Sequence, residues 1–121
     1  MNSALWAAQL TLAAVFAVSG AAKLTMARER LLATGQTGIA VFPMPVVRFT
    51  AAMELLAAVA LVAPPLIGTG RFFTPLAAAG LGAVMIGAAW AHTRLREPAS
   101  VAVNAVLFGL AGFVVLGHLL G

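Results

Sequence analysis

The chain has 121 residues, 63% of them hydrophobic and 8% charged, with a mean hydropathy of +1.07, which excludes a soluble domain and marks an integral membrane protein. Cysteine is absent, so disulfides, thiol redox relays, Cys-ligated zinc and iron–sulfur clusters are excluded from the chain itself. The net charge of +4 does not point to nucleic acid, because the basic residues sit between apolar runs rather than on a solvated face.

Crossing about 30 Å of hydrocarbon takes roughly 20 helical residues at about 1.5 Å each. Four such runs are present, at residues 4–24, 46–62, 72–92 and 99–120, and they predict an all-α, four-helix membrane bundle forming a single domain over residues 1–121. The first run is too long for a signal-peptide core and no basic segment precedes it, so it is expected to be retained as a span. The connection that follows, Thr25 to Phe42, is the longest. Within it M-A-R-E-R-L-L-A-T-G predicts a short interfacial helix ended by Gly35. The next stretch, G-Q-T-G-I-A-V-F-P-M-P, has too many glycines and prolines to continue that helix and is expected to lie over the mouth of the bundle as a lid or a tether.

The second span is bounded by Pro43 and Pro45 before it and by Pro64 and Pro65, which are expected to stop it. Pro75 and Pro98 fall where helices three and four begin, positions at which a missing N–H costs little. Ala79, Ala83 and Gly87 on the third span, and Ala105 and Gly109 on the fourth, recur at four-residue spacing and predict close helix contacts, within a tight bundle or at a homo-oligomer seam. Six of the seven basic residues (Lys23, Arg28, Arg30, Arg48, Arg94 and Arg96) fall in or beside the first and third loops. By the positive-inside rule that end is cytoplasmic, which places both termini outside a bacterial inner membrane and Trp6 and Trp90 at opposite interfaces.

With ten charged residues in the whole chain, those inside spans are the informative ones. Glu54 lies near mid-span, where a carboxylate costs about 2.5–3.5 kcal/mol even on the lenient insertion scale. It must face the bundle interior and find a partner or stay protonated, either as a tie between helices or as part of a ligand, proton or quinone-like site. Lys23, at the inner end of the first span, is the leading partner and Arg48 the second. Lys23 also fits a snorkelling anchor. His92 closes the third span, where the helix dipole favours it as much as a catalytic role does. Asn104, inside the fourth span, needs a hydrogen-bond partner, with Glu54 and His92 as candidates or helix–helix glue as the other reading. His92 and His118 lie at opposite ends, roughly 25–30 Å apart, too far to ligate one haem within a subunit. No nucleotide loop, catalytic serine motif or metal-ligand spacing is present.

The succession F-A-V-S-G-A-A-K-L, R-F-T-A-A-M-E-L-L-A-A-V-A-L-V-A-P-P, T-P-L-A-A-A-G-L-G-A-V-M-I-G-A-A-W-A-H-T-R and N-A-V-L resembles the DoxX-like family of small bacterial membrane proteins. The most specific parts are S-G-x-x-K-L ending the first span and E-L-L after an upstream arginine in the second. The resemblance implies a four-helix membrane bundle and a link to membrane-bound oxidoreduction involving quinones, after the thiosulfate:quinone oxidoreductase subunit that names the family. The positions it matches are Ser19, Gly20, Lys23, Arg48, Glu54, His92 and Asn104.

Three functions follow as expectations. The first is a binding module in which Lys23, Ser19, Arg48, Glu54 and Asn104 surround the polar end of a lipophilic molecule, quinone-like or isoprenoid, with no covalently held cofactor, as the membrane subunit of an oxidoreductase with a soluble redox partner. The second is an enzyme using Glu54 as general acid or base, with Lys23, Asn104 or His92 orienting, for isomerisation or cyclisation of a hydrophobic substrate. The third is an assembly protein whose polar residues only fix helix register.

Overall fold

Asn2 begins the first helix, its side chain accepting the Leu5 N–H at 2.8 Å. The computed structural model describes residues 1–121 and contains α1 (Ser3–Thr25), α2 (Arg28–Ala33), a 3₁₀ turn (Thr37–Val41), α3 (Met44–Ile67), α4 (Phe73–Arg94) and α5 (Pro98–Leu120). The four long helices, of 22 to 24 residues, are long and apolar enough to cross a membrane, and the protein is a multi-pass integral membrane bundle. They run up, down, up and down in a ring: α1 packs on α3 and α5, and α4 packs on α5 and α3. Val18, Leu56, Val59 and Val106 point outward, where lipid covers them.

One end of the ring carries the termini and the α3–α4 loop; the other carries α2, the 3₁₀ turn and the α4–α5 loop. The half nearer the termini is filled. Ala8, Leu12 and Phe16 of α1 meet Leu61 of α3, Ala78, Leu81 and Met85 of α4, and Ala111 and Val114 of α5. Gly117 allows α5 to close on α1, since a Cβ there would collide with Leu5. A second, smaller cluster of Leu31, Ile39 and Val47 holds α2 and the 3₁₀ turn down on α3 at the basic end.

The expected stop at Pro64 and Pro65 is corrected by the structure: α3 passes through both and ends at Ile67, with Gly68 in the left-handed region at φ 74°. Each proline lacks the N–H that would bond the carbonyl four residues earlier, which frees Ala60 O and Leu61 O. Both are recovered from neighbouring helices. Thr74 Oγ1 donates to Ala60 O at 2.7 Å, and Gln9 Nε2, on a fully buried side chain, donates to Leu61 O at 2.6 Å. Gln9 Oε1 in turn accepts from His118 Nε2 at 2.8 Å, so one buried amide ties α1 to both α3 and α5.

Within one chain, the small-residue stripes are likewise not where helices touch. Ala79, Ala83, Ala105 and Gly109 are exposed, and a Cβ on Gly87 or Gly109 would meet nothing within 4 Å. The close approach lies instead at Gly20, where a Cβ would stand 3.0 Å from Ala51 O. The bundle is therefore tight in its terminal half and along α1–α3 but opens between α3 and α4 toward the basic end.

Replacing Gln9 with leucine should cost about 1 kcal/mol in a detergent unfolding titration, the usual worth of an interhelical hydrogen bond in a membrane protein. In a Pro65→Ala background, where a restored N–H serves Leu61 O, the same replacement should cost measurably less; equal costs in both backgrounds would refute the carbonyl-rescue role.

Candidate functional site

The site grows from the contact at Gly20. Without a side chain there, the α1 and α3 backbones come together, and one turn on from the contact in each helix stand Lys23 and Glu54. The helices are antiparallel, so the two residues move apart by roughly 9 Å along the axis at about 1.5 Å per residue. Side chains lean toward the N-terminus of their own helix, so here they lean toward each other. Lys23 Nζ reaches Glu54 Oε1 at 3.4 Å, with Glu54 fully buried and Lys23 19% exposed. The expected partnership is present, and Lys23 is turned inward rather than snorkelling.

Glu54 and Lys23 form the inner wall of a cavity of about 400 Å³ between α3 and α4. Val46, Val47 and Thr50 of α3 face Ala83, Val84, Gly87 and Ala88 of α4 across it, so the small residues of α4 supply its volume rather than a helix contact. Gly35, Gln36, Gly38, Ile39 and Phe42 cover the mouth, where the sequence places a lid or tether. This segment is fastened at several points. Arg28 donates from Nη2 to Ala40 O and from Nη1 to Phe42 O, both at 3.0 Å. Phe42 lies 6.0 Å from Trp90, whose ring carries the Arg94 guanidinium at 5.5 Å.

His92 also lines the cavity, and it belongs to a small network that the sequence did not reveal. Glu97 Oε1 accepts from His92 Nδ1 at 2.7 Å and from Thr37 Oγ1 at 2.9 Å, joining α4, the α4–α5 loop and the lid. The carboxyl of Glu97 is held below the usual carboxylate range, first by the His92 hydrogen bond and then by that from Thr37. A carboxylate only accepts, so His92 Nδ1 carries the proton and, in the neutral ring, Nε2 is left as an acceptor. Gly38 permits the lid to close on this ring: a Cβ there would stand 3.1 Å from Nε2.

Glu97 reaches His92 because α4 ends in a Schellman turn, with Glu97 N–H bonded to His92 O at 2.9 Å and Arg96 N–H to Thr93 O at 3.1 Å. The left-handed residue is Arg96, at φ 58°, where glycine is the usual occupant. With no glycine to signal the turn, the sequence offers no marker that Glu97 folds back.

The remaining expected residues lie elsewhere. Arg48 does not enter the cavity; its Nη1 donates to Lys23 O at 2.8 Å and Met26 O at 2.9 Å, capping the last turn of α1. Ser19 precedes the Gly20 contact and is absent from the cavity lining. Asn104 meets neither Glu54 nor His92: its Nδ2 lies 3.5 Å from Met85 Sδ, and its Oδ1 has no protein partner. Lys23, Glu54 and His92 are thus brought together, and Ser19, Arg48 and Asn104 are not.

A family model described as the DoxX-like family matches residues 7–114, from the first helix to the last. The chain belongs to the DoxX-like family. No curated protein and no solved structure matches it. The match takes in every residue of the cavity of this DoxX-like protein, together with the α4–α5 turn that carries Glu97.

Removing the lysine of this DoxX-like protein strands a buried carboxylate. Lys23→Met should lower stability by about 3 kcal/mol, and Lys23→Met with Glu54→Gln by clearly less, in a double-mutant cycle; additive losses would dissolve the pair. Glu97 has a folded pKa below its unfolded value, so its contribution is complete above the ordinary carboxylate range and is lost as the pH falls through and below it. Protection of the amides of residues 35–42 against hydrogen exchange, taken relative to the intrinsic rate at each pH, should therefore fall on acidification below about pH 4.5, and Glu97→Gln should lower it already at neutral pH. Exchange unchanged by the variant would refute the fastening.

Proposed function

We propose that this DoxX-like membrane protein binds a lipophilic small molecule, quinone-like or isoprenoid, with its polar head at Lys23 and Glu54 and its apolar body along α3 and α4. The observation that carries this is a cavity of about 400 Å³ with apolar walls and a few convergent polar groups, a size and makeup common to small-molecule sites. The basic end holds the mouth, so in this proposal the ligand is held on the cytoplasmic side of a bacterial inner membrane, with both termini outside. Electrons in an oxidoreductase complex would come from a soluble partner docking at that end, since the chain has no cysteine.

A second reading is favoured by the Glu97–His92 arrangement, in which a carboxylate fixes one ring nitrogen and leaves the other, beside Gly38 at the cavity mouth, as an acceptor. That is the geometry of a general base. It supports proton transfer on the bound molecule, an isomerisation or cyclisation with Glu54 as the second acid–base group.

Gly87 offers a clean test, because a side chain there enters open space on the cavity wall. Gly87→Leu should fold at least as stably as the parent, leucine being the better helix former, and should lose a lipophile that copurifies with the parent and is seen by mass spectrometry of extracted protein. Identical extracts from the two proteins would reject ligand binding and leave an assembly role.

A further inference from the structure

Glu54 Oε2 is the one oxygen of the buried pair that no protein group answers. Its neighbour Oε1 takes the Lys23 ammonium, whereas Oε2 is shielded from solvent, on a fully buried side chain, and without a hydrogen-bond partner in the protein. The side chain forms part of the cavity wall. An unanswered buried acceptor costs free energy comparable to a lost hydrogen bond, and more when it is charged. A ligand in the cavity that supplies a donor to Oε2, toward which the Glu54 carboxylate must turn by a small side-chain rotation, recovers that cost; a ligand bringing only acceptors does not.

The second acceptor points the same way. His92 Nδ1 is held by the Glu97 carboxylate, so the neutral ring offers a lone pair at Nε2. The head of an oxidised quinone presents two carbonyl oxygens, both acceptors; Lys23, Thr50 or Gln36 can donate to one of them, but neither oxygen can answer Glu54 Oε2 or His92 Nε2, where acceptor would meet acceptor. A hydroxyl head has no such conflict.

We propose that the cavity selects lipophiles by a hydroxyl head that donates to Glu54 Oε2: a phenol, a quinol or a long-chain alcohol, in preference to the corresponding ketone, quinone or ether. This rests on the cavity being a lipophile site and adds which chemical form it holds. In the ion-paired state of Lys23 and Glu54, Oε2 is an acceptor only, and the pair thereby distinguishes the reduced head of a molecule from its oxidised head without taking part in electron transfer. In a redox complex such a subunit holds the reduced product or the reduced donor.

Three probes of matched shape decide it: 4-octylphenol, its methyl ether, and 4′-octylacetophenone, each titrated against the full chain in lipid nanodiscs by tryptophan fluorescence. Gly87→Leu nanodiscs give the background from partition into lipid. The phenol should bind about tenfold or more tighter than either analogue, as expected for one charge-assisted hydrogen bond in a dry site. Glu54→Gln, whose amide adds an N–H donor, should erase the preference for phenol and improve the ketone.

Equal or tighter binding of the ether or the ketone by the parent overturns the hydroxyl preference while leaving the lipophile site standing. Failure of all three probes to bind above background overturns the lipophile site and the preference with it. A preference that survives in Glu54→Gln overturns the assignment to Glu54. Should that variant not fold, infrared difference spectra of the parent serve instead, because the side chains include only three carboxylates. A carboxylate band that shifts with the phenol and not with the ether supports the contact, and one that shifts with neither overturns it.

Discussion

A carboxylate withdrawn from water inside a membrane helix persists only where another group answers its charge, and in this protein the arrangement of Lys23 and Glu54 begins with backbone geometry. Gly20 lets α1 rest on α3 at Ala51. The antiparallel lean of the side chains then carries an ammonium and a carboxylate toward each other over roughly two helical turns' separation in sequence depth. Arg48 closes the same corner by capping α1 at Lys23 O and Met26 O, so the helix end that presents the lysine is itself held. Drawing α3 toward α1 leaves α3 and α4 apart at the same level, and Glu54 faces the gap.

The two halves of the bundle have different tasks. Toward the termini the interior is packed mainly with aliphatic side chains and tied by Gln9 and Thr74, which recover the two carbonyls that Pro64 and Pro65 leave free, and by His118, which bonds Gln9. Toward the basic end the interior is hollow and bounded by polar groups. A rigid floor of this kind holds the cavity walls in place while the mouth is formed by a segment fastened through side chains, from Arg28 on one side and Glu97 on the other. Fold and family membership do not decide what such a cavity holds. The local chemistry of Glu54, Lys23 and His92 does, because these, with Thr50 and Gln36, are the polar groups that a ligand's head would meet.

The four spans, the lid segment and the buried pair were legible in the sequence. Hydrophobic run length reports bilayer thickness directly, and a mid-span glutamate has so few ways to be tolerated that its partner could be named. The end of α3 was not, because the rule that prolines stop helices assumes nothing else satisfies the freed carbonyls, and here Gln9 and Thr74 do. Asn104 was matched to the wrong neighbours for a related reason: its depth was right, but it faces Met85 rather than the cavity.

What the sequence determined by itself was therefore how far along each helix a residue sits: spans, loops, the level of Glu54 and the accumulation of charge at one end. What only the tertiary structure decided was which way each side chain faces. In membrane helices nearly every face is apolar, so the periodicity that marks the inward face of a soluble helix is weak, and Ala83 and Gly87 could as well have met a helix as a cavity. Rotation about the helix axis was settled by contacts between segments distant in the chain, Gly20 on Ala51 and Glu97 on His92 and Thr37, and those contacts placed Arg48 at a helix end and His92 at the cavity.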